Sequence, residues 1–278
     1  MEGKLYYHSA GDPSAFPILW LHGFLGSHEE WRSLLARFSS RYFQIACDLP
    51  GHGKSQNLLN LSESLEGKKS AYGLEATLEA LYKLLEHLNI SRCFLVGYSL
   101  GGRIALAFAL RFPHLVHGLV LESTSPGLIS SEERETRKRQ DEHWARLLEE
   151  EGIEVFVEKW YQQPLFASLR KHPHFQELLA KRKQNHATEL ARSLREIGTG
   201  SQPSFWEAWE QHSLPSLILS GSLDLKFIRI AQEMCQKNSS ARLEILAECG
   251  HNVHAENETA FFFCLQHYFE NRLRGEFL

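Results

Sequence analysis

The stretch that most constrains this chain runs from Cys93 to Leu110. A short apolar run, Cys93–Val96, predicts a fully buried strand, and the apolar-rich segment after Gly101 predicts a buried helix. Between them, Gly97-Tyr98-Ser99-Leu100-Gly101 follows the G-x-S-x-G pattern, which pins a serine on a sharp strand-to-helix turn. Such a turn strains the serine backbone, so its neighbours must be nearly free of side chain; Gly97 and Gly101 meet that need, and Gly102 lets the helix pack close to the sheet. The turn also sets Ser99 at a helix N-terminus, where free backbone N–H groups bind an oxyanion. A glycine-rich turn with no chemistry has the same letters. The flanking strand and helix favour the reactive reading.

The rest of the chain alternates in the same way. Leu5–His8 predicts an edge strand, followed by a turn at Gly11-Asp12-Pro13. Pro17–Leu21, Tyr42–Cys47, Gly118–Leu121, Pro215–Ser220 and Leu243–Leu246 are short apolar runs that predict strands. Trp31–Phe38, Leu74–Leu88 and Ala260–Leu273 carry apolar residues at helical spacing, and Asn57 to Ser70 reads as a polar surface loop. Short apolar strands alternating with helices predict an α/β fold, with a mostly parallel central sheet covered by helices on both faces. From Ser123 to about Glu210 the strand-like runs vanish and charges crowd, as in Glu132–Glu142, punctuated by Trp144, Phe156, Trp160, Tyr161 and Phe166. This predicts a helical cap, residues 123–210, inserted between core segments 1–122 and 211–278.

Bulk properties remove several functions. A chain of 278 residues suits one large α/β domain whose core needs no staples. The net charge of −4 offers no basic field for nucleic acid. No apolar run approaches the ~18 residues of a membrane span, and the first residues lack the apolar core of a signal peptide. Five cysteines, without a C-x-x-C pair, read as free thiols in a reducing compartment. The expectation is a cytoplasmic protein, a monomer or weak homo-oligomer, without membrane insertion.

Three candidate reactive residues fall just after predicted strands, in the order Ser99, Asp224, His251. Open α/β sheets place their sites at that carboxyl edge, and this nucleophile–acid–base order is the one associated with α/β-hydrolases. A serine hydroxyl is a poor nucleophile or base near neutral pH. His251 must therefore take its proton, while Asp224 holds the imidazole in the right tautomer. His254 is the fallback base. His22-Gly23-Phe24 follows the first central strand, so the backbone N–H groups of Phe24 and Leu100 would form the oxyanion hole. No partner at ligand spacing supports His22 as a metal ligand. Arg103 lies one turn beyond Ser99 on an otherwise apolar helix, where a cation requires an anionic partner, either a protein carboxylate or one on the substrate. Lys226, beside Asp224, adds a second cation near the same rim, and the pair points to an anionic substrate.

At this level the sequence resembles the α/β-hydrolase superfamily over nearly its whole length. More narrowly, it resembles the 2-succinyl-6-hydroxy-2,4-cyclohexadiene-1-carboxylate synthases of menaquinone and phylloquinone biosynthesis. The resemblance rests on Leu21-His22-Gly23-Phe24-Leu25-Gly26, Asp48-Leu49-Pro50-Gly51-His52-Gly53, Gly97 to Arg103, Trp160 to Leu169, Asp224-Leu225-Lys226-Phe227 and Gly250 to Asn257. It implies elimination of pyruvate from a small-molecule tricarboxylate, with Ser99 acting as base through His251 and with no metal or organic cofactor. It also implies Arg103, Arg139, Arg182 and Lys226 as anion-binding residues, with Tyr98 and Trp160 shaping the pocket. The rival readings are a serine-dependent esterase or carbon–carbon bond hydrolase acting on an anionic substrate, and a ligand-binding receptor on the same fold.

Overall fold

The structure, a computed structural model, describes residues 5–56 and 72–276. Its centre is a seven-stranded sheet of β1 (Tyr7–Ala10), β2 (Phe16–Leu21), β3 (Tyr42–Cys47), β4 (Cys93–Tyr98), β5 (Val116–Glu122), β6 (Ser216–Gly221) and β7 (Ala241–Leu246). The spatial order is β1-β3-β2-β4-β5-β6-β7, and only the β1–β3 pairing is antiparallel. Helices α1 (Arg32–Phe38), α2 (Leu74–His87), α3 (Leu100–Arg111), α8 (Leu225–Lys237) and α10 (Glu258–Leu273) accompany the strands. Between β5 and β6 lie α4 (Ser131–Tyr161), α5 (Phe175–Arg182), α6 (Ala187–Ile197) and α7 (Trp206–Gln211), and the short α9 (Val253–Glu256) follows β7.

The strands have no polar face because both faces are covered. Along β4, Cys93 and Leu95 enter one core with α2 and α3, while Phe94, Val96 and Tyr98 enter the other with α1 and α10. On β2 the same alternation sends Leu19 and Leu21 one way and Ile18 and Trp20 the other. The buried Trp20 indole N–H donates to Gln44 Oε1 on β3 at 2.8 Å, which satisfies the indole N–H. Each fully buried large apolar side chain contributes about 1.5–3 kcal/mol of transfer free energy. A third core joins Leu148, Phe156 and Val157 of α4 to Leu190 and Leu194 of α6 and to Leu25 of the sheet domain. α4 breaks at Gly152, whose φ of +77° interrupts the helix.

Most strand and helix positions match the sequence expectation within a residue or two. The predicted edge strand Leu5–His8 is displaced to Tyr7–Ala10. The reason is local: Tyr6 N–H donates to Ser55 Oγ and Tyr6 O accepts from Asp48 N–H, so that residue serves the loop after β3. α8 carries no expectation from the sequence. The predicted loop Asn57–Ser70 lies outside the described residues. All five cysteines are unpaired, and no described helix is long and apolar enough to cross a membrane.

Beneath the β2 and β3 exits, a buried histidine cluster fixes two loops. His22 Nε2 accepts from Leu49 N–H at 3.0 Å, and its Nδ1–H donates to Gly23 O at 2.7 Å. The partners therefore specify the neutral Nδ1–H tautomer. Asp48 Oδ1 accepts from both His28 N–H and His28 Nδ1–H, and Asp48 Oδ2 accepts from Lys54 N–H. Burial, reinforced by His52, pushes His22 down to about 3, and burial pushes His52 and the separate His212 down to about 4.

Two predictions follow from these packing facts. A Cβ on Gly101 would lie 2.2 Å from Leu21 O and 2.5 Å from His22 O, both backbone atoms that cannot yield. Gly101→Ala is expected to lower the urea unfolding free energy by about 1–3 kcal/mol or more; an unchanged midpoint would contradict the packing. His22, His52 and His212 refuse protons in the native state that the unfolded chain accepts near pH 6.5. Their stabilisation is complete above that pH and is lost as pH falls toward 3–4, with a slope of up to about 1.4 kcal/mol per pH unit for each group. Urea midpoints should fall between pH 7 and pH 5, less steeply in His52→Gln, and a flat profile would contradict the assignment.

Candidate active site

Ser99 occupies the turn between β4 and α3 with φ 50° and ψ −104°, a left-handed backbone at a non-glycine residue. Strain of this kind costs about 1–3 kcal/mol and persists only where the surroundings impose it. Here they do: Ser99 N–H donates to Glu122 O of β5 at 2.9 Å, and Ser99 O accepts from Arg103 N–H as α3 begins. The hydroxyl is thereby presented above the carboxyl edge of the sheet.

Asp224 and His251 arrive at the same point from the loops after β6 and β7. His251 Nε2 lies 3.1 Å from Ser99 Oγ, and His251 Nδ1–H donates to Asp224 Oδ2 at 2.7 Å. Asp224 caps α8, where its Oδ1 accepts from Phe227 N–H, so its second oxygen is aimed at the imidazole. The Phe227 ring packs 4.5 Å from the His251 ring. Glu256 accepts from Gly250 N–H and Asn252 N–H, which shapes the loop carrying His251. His254, the alternative base, instead faces Glu122 Oε2 at 2.7 Å, away from Ser99.

Peptide geometry bears on Phe24 and Leu100, the expected oxyanion donors. Gly23 O accepts from both His22 Nδ1–H and Gly26 N–H, with Leu25 at φ 68° closing the turn. A trans peptide sets N–H and C=O on opposite sides, so fixing Gly23 O directs Phe24 N–H the other way. Leu100 is the first residue of α3, where an N–H has no intrahelical partner. Phe24 and Leu100 both line the cavity that opens over Ser99.

That cavity has a volume of about 540 Å³, within the usual ~300–1,000 Å³ for small-molecule sites. Its floor includes Tyr98, Ser99 and His251 of the sheet domain, and its roof Trp144, Trp160 and Phe166 of the helical segment. The Trp160 ring packs 5.0 Å from Phe24 and stacks on Phe156 at 5.4 Å. Burial and then Glu122 hold the Tyr98 hydroxyl well above its usual range, so it stays protonated.

The cations divide into three kinds. Arg103 borders the cavity, and its guanidinium donates to Gln202 Oε1 at 2.7 Å and Ile197 O at 3.0 Å, both neutral acceptors. Among the described residues no carboxylate pairs with it, and burial pushes it down to about 9, still protonated at neutral pH. Lys226 stands exposed at the rim with Nζ 5.5 Å from the Phe227 ring centroid. Arg182 also borders the cavity but is committed to protein: it pairs with Glu30 and donates to Tyr161 Oη and Leu25 O, tying α5 to α4 and to the loop after β2.

Arg139 requires correction. Its side chain is exposed, donates to Thr136 Oγ1 at 3.1 Å, and faces the outer surface of α4. Arg137, Gln140 and Trp144 line the cavity instead. Residues i, i+3 and i+7 share a helix face, whereas Arg139 lies about 200° round from Arg137. Anchoring the helix phase on Trp144 would have selected Arg137. Asp141 Oδ1 accepts from Arg137 Nε at 2.8 Å. Gln202, the partner of Arg103, and Ser123, which lines the cavity beside Ser99, carried no signal in the sequence.

Among the described residues no group of three or more histidine, cysteine, aspartate or glutamate side chains is arranged to hold a metal ion. Both ring nitrogens of His22 are already occupied.

Comparison with known proteins identifies the family. The alpha/beta hydrolase fold family matches residues 17–258. The 2-succinyl-6-hydroxy-2,4-cyclohexadiene-1-carboxylate synthase of Enterobacter sp. (strain 638) is 34% identical over 265 residues, covering 95% of this chain and 96% of that one. Protein PHYLLO, chloroplastic, of Arabidopsis thaliana is 35% identical over 269 residues, which are 93% of this chain but only 16% of that much longer protein. Among solved structures, MenH from S. aureus superposes with a TM-score of 0.88 at 28% identity, covering 97% of this chain and 99% of that one. The chain belongs to the alpha/beta hydrolase fold family and, within it, to the 2-succinyl-6-hydroxy-2,4-cyclohexadiene-1-carboxylate synthases.

Proposed function

We propose that this chain is a lyase that eliminates pyruvate from 2-succinyl-5-enolpyruvyl-6-hydroxy-3-cyclohexene-1-carboxylate. The product is 2-succinyl-6-hydroxy-2,4-cyclohexadiene-1-carboxylate, an intermediate of menaquinone or phylloquinone biosynthesis. The observation that carries the reading is the combination of a Ser99–His251–Asp224 relay with a half-buried guanidinium, Arg103, that borders the cavity and that no described carboxylate pairs with. A cation withdrawn from water onto only neutral acceptors is costly unless an anion completes it. The substrate brings three carboxylates.

The chemistry uses groups already placed. Ser99 passes its proton to His251 Nε2, and Asp224 steadies the resulting imidazolium. The serine oxygen then takes the ring proton beside the succinyl ketone. The C–H electron pair moves into that ketone, and the developing oxyanion meets the N–H groups of Phe24 and Leu100, each worth about 2.7–4 kcal/mol of barrier in comparable sites. Return of the electrons through the ring double bond breaks the bond to the enolpyruvyl oxygen. Enolpyruvate leaves and gains a proton to become pyruvate. Arg103 and Lys226 hold the carboxylates, Tyr98 and Trp160 shape the ring pocket, and the helical segment 123–210 serves as a cap. Arg137, on the cavity wall and paired with Asp141, stands on the helix face where the resemblance implied Arg139. Arg182, neutralised by Glu30, braces the wall as a strut. We place the enzyme in the cytoplasm as a monomer or weak homo-oligomer, supported by five unpaired cysteines.

The direct test supplies the enolpyruvyl substrate and follows pyruvate and the diene chromophore together. Wild type should release the two in equal amounts, Ser99→Ala should release neither while remaining folded, and full activity in Ser99→Ala would overturn the mechanism. Arg103→Met should lower kcat/KM for the tricarboxylate by about 10- to 150-fold, the worth of a hydrogen bond to a charged group. Cleavage of a small neutral ester should change far less. Equal losses on both would make Arg103 structural and favour the esterase reading.

A further inference from the structure

Ser99 and His251 reach each other from strands that are not neighbours, since β5 and β6 lie between β4 and β7. Glu122, the last residue of β5, touches both segments. Its backbone carbonyl accepts from Ser99 N–H at 2.9 Å, and Tyr98 is its register partner on β4. Its side chain, completely buried, turns to the histidine loop: Oε1 accepts from His254 N–H at 3.0 Å and Oε2 from His254 Nδ1–H at 2.7 Å. His254 is the second residue of α9, three residues after His251. Its ring is walled by Trp31 at 4.3 Å and by the Tyr98 ring edge-on at 4.9 Å. A buried carboxylate that accepts two hydrogen bonds from one residue fixes that residue in position and in ring orientation.

We propose that Glu122 and His254 are a positioning pair that sets the approach of His251 Nε2 to Ser99 Oγ. Neither residue lines the cavity, so neither touches substrate. Glu122 holds the serine turn through its backbone and the histidine loop through its carboxylate, and the distance between the two reacting atoms is the consequence. Glu256 shapes the histidine loop internally, but Glu122 ties that loop to β5 beside the serine. The inference rests on the reading of Ser99 and His251 as a proton relay.

The test pairs kinetics with a crystal structure of Glu122→Gln, whose amide cannot accept both hydrogen bonds equally. Expected are a Ser99 Oγ–His251 Nε2 separation beyond about 3.5 Å and a kcat for pyruvate release lower by about 10- to 100-fold, with KM within about twofold of wild type. A variant that keeps the native separation overturns the pair, whatever its kcat. A lengthened separation with unchanged kcat upholds the pair and removes the relay reading instead. If Glu122→Gln does not fold, His254→Ala and His254→Gln decide. Loss of kcat in the alanine variant with partial recovery in the glutamine variant, which restores a donor to Glu122, supports the pair. Wild-type kcat in His254→Ala, or equal losses in both, overturns it.

Discussion

The backbone of Ser99 is the constraint on which the rest of the site depends. A left-handed residue at the end of β4 turns the chain sharply into α3, which lifts the hydroxyl above the sheet and opens the Leu100 N–H at the start of the helix. The conformation is affordable because Gly101 permits α3 to press against the end of β2, where any Cβ would collide with Leu21 O and His22 O. That contact brings the His22–Phe24 turn alongside the serine. Nucleophile, oxyanion donors and cavity floor are therefore products of one close approach between a helix and two strands.

Electrostatics then assigns the work. The same relay and oxyanion donors would serve acyl transfer, so they do not choose a reaction by themselves. The choice comes from the cavity wall. Arg103 is held by an amide and a carbonyl rather than a carboxylate, which orients the guanidinium and leaves it without a paired carboxylate among the described residues. Arg182, by contrast, is neutralised by Glu30 and acts as a strut between α5 and the sheet domain. Arg103 and Arg182 thus differ on the same cavity by their partners. An anion bound by Arg103 is held one helical turn from Ser99, where orientation rather than new covalent chemistry lowers the barrier.

Much of this was legible in the sequence. β3 was read to the residue, since an apolar run bounded by a turn admits one interpretation. The convergence of Ser99, Asp224 and His251 was legible because each follows a strand in a fixed order, and the place of Phe24 and Leu100 on the cavity because they adjoin those turns. The cap positions were harder. Arg137 and Arg139 lie in one dense charge run, and only the phase of α4, set by Trp144 and the apolar seam against α6, tells which faces inward. The roles of Glu122 and His254 were hidden for a different reason. Their residues stand 132 positions apart, and the sheet order that brings them together is a tertiary property. The edge strand slipped because the Tyr6 backbone is taken by Ser55 and Asp48, partners that no local pattern contains.

In the proposed reaction Ser99 removes a ring proton instead of forming an acyl-enzyme. This is tested most directly by placing deuterium on the ring carbon beside the succinyl ketone, then measuring the rate of pyruvate release and the mass of the protein during turnover. The account predicts slower release from the deuterated substrate and an unmodified Ser99 throughout. A rate indifferent to deuterium, together with a substrate-derived adduct on Ser99, would contradict it.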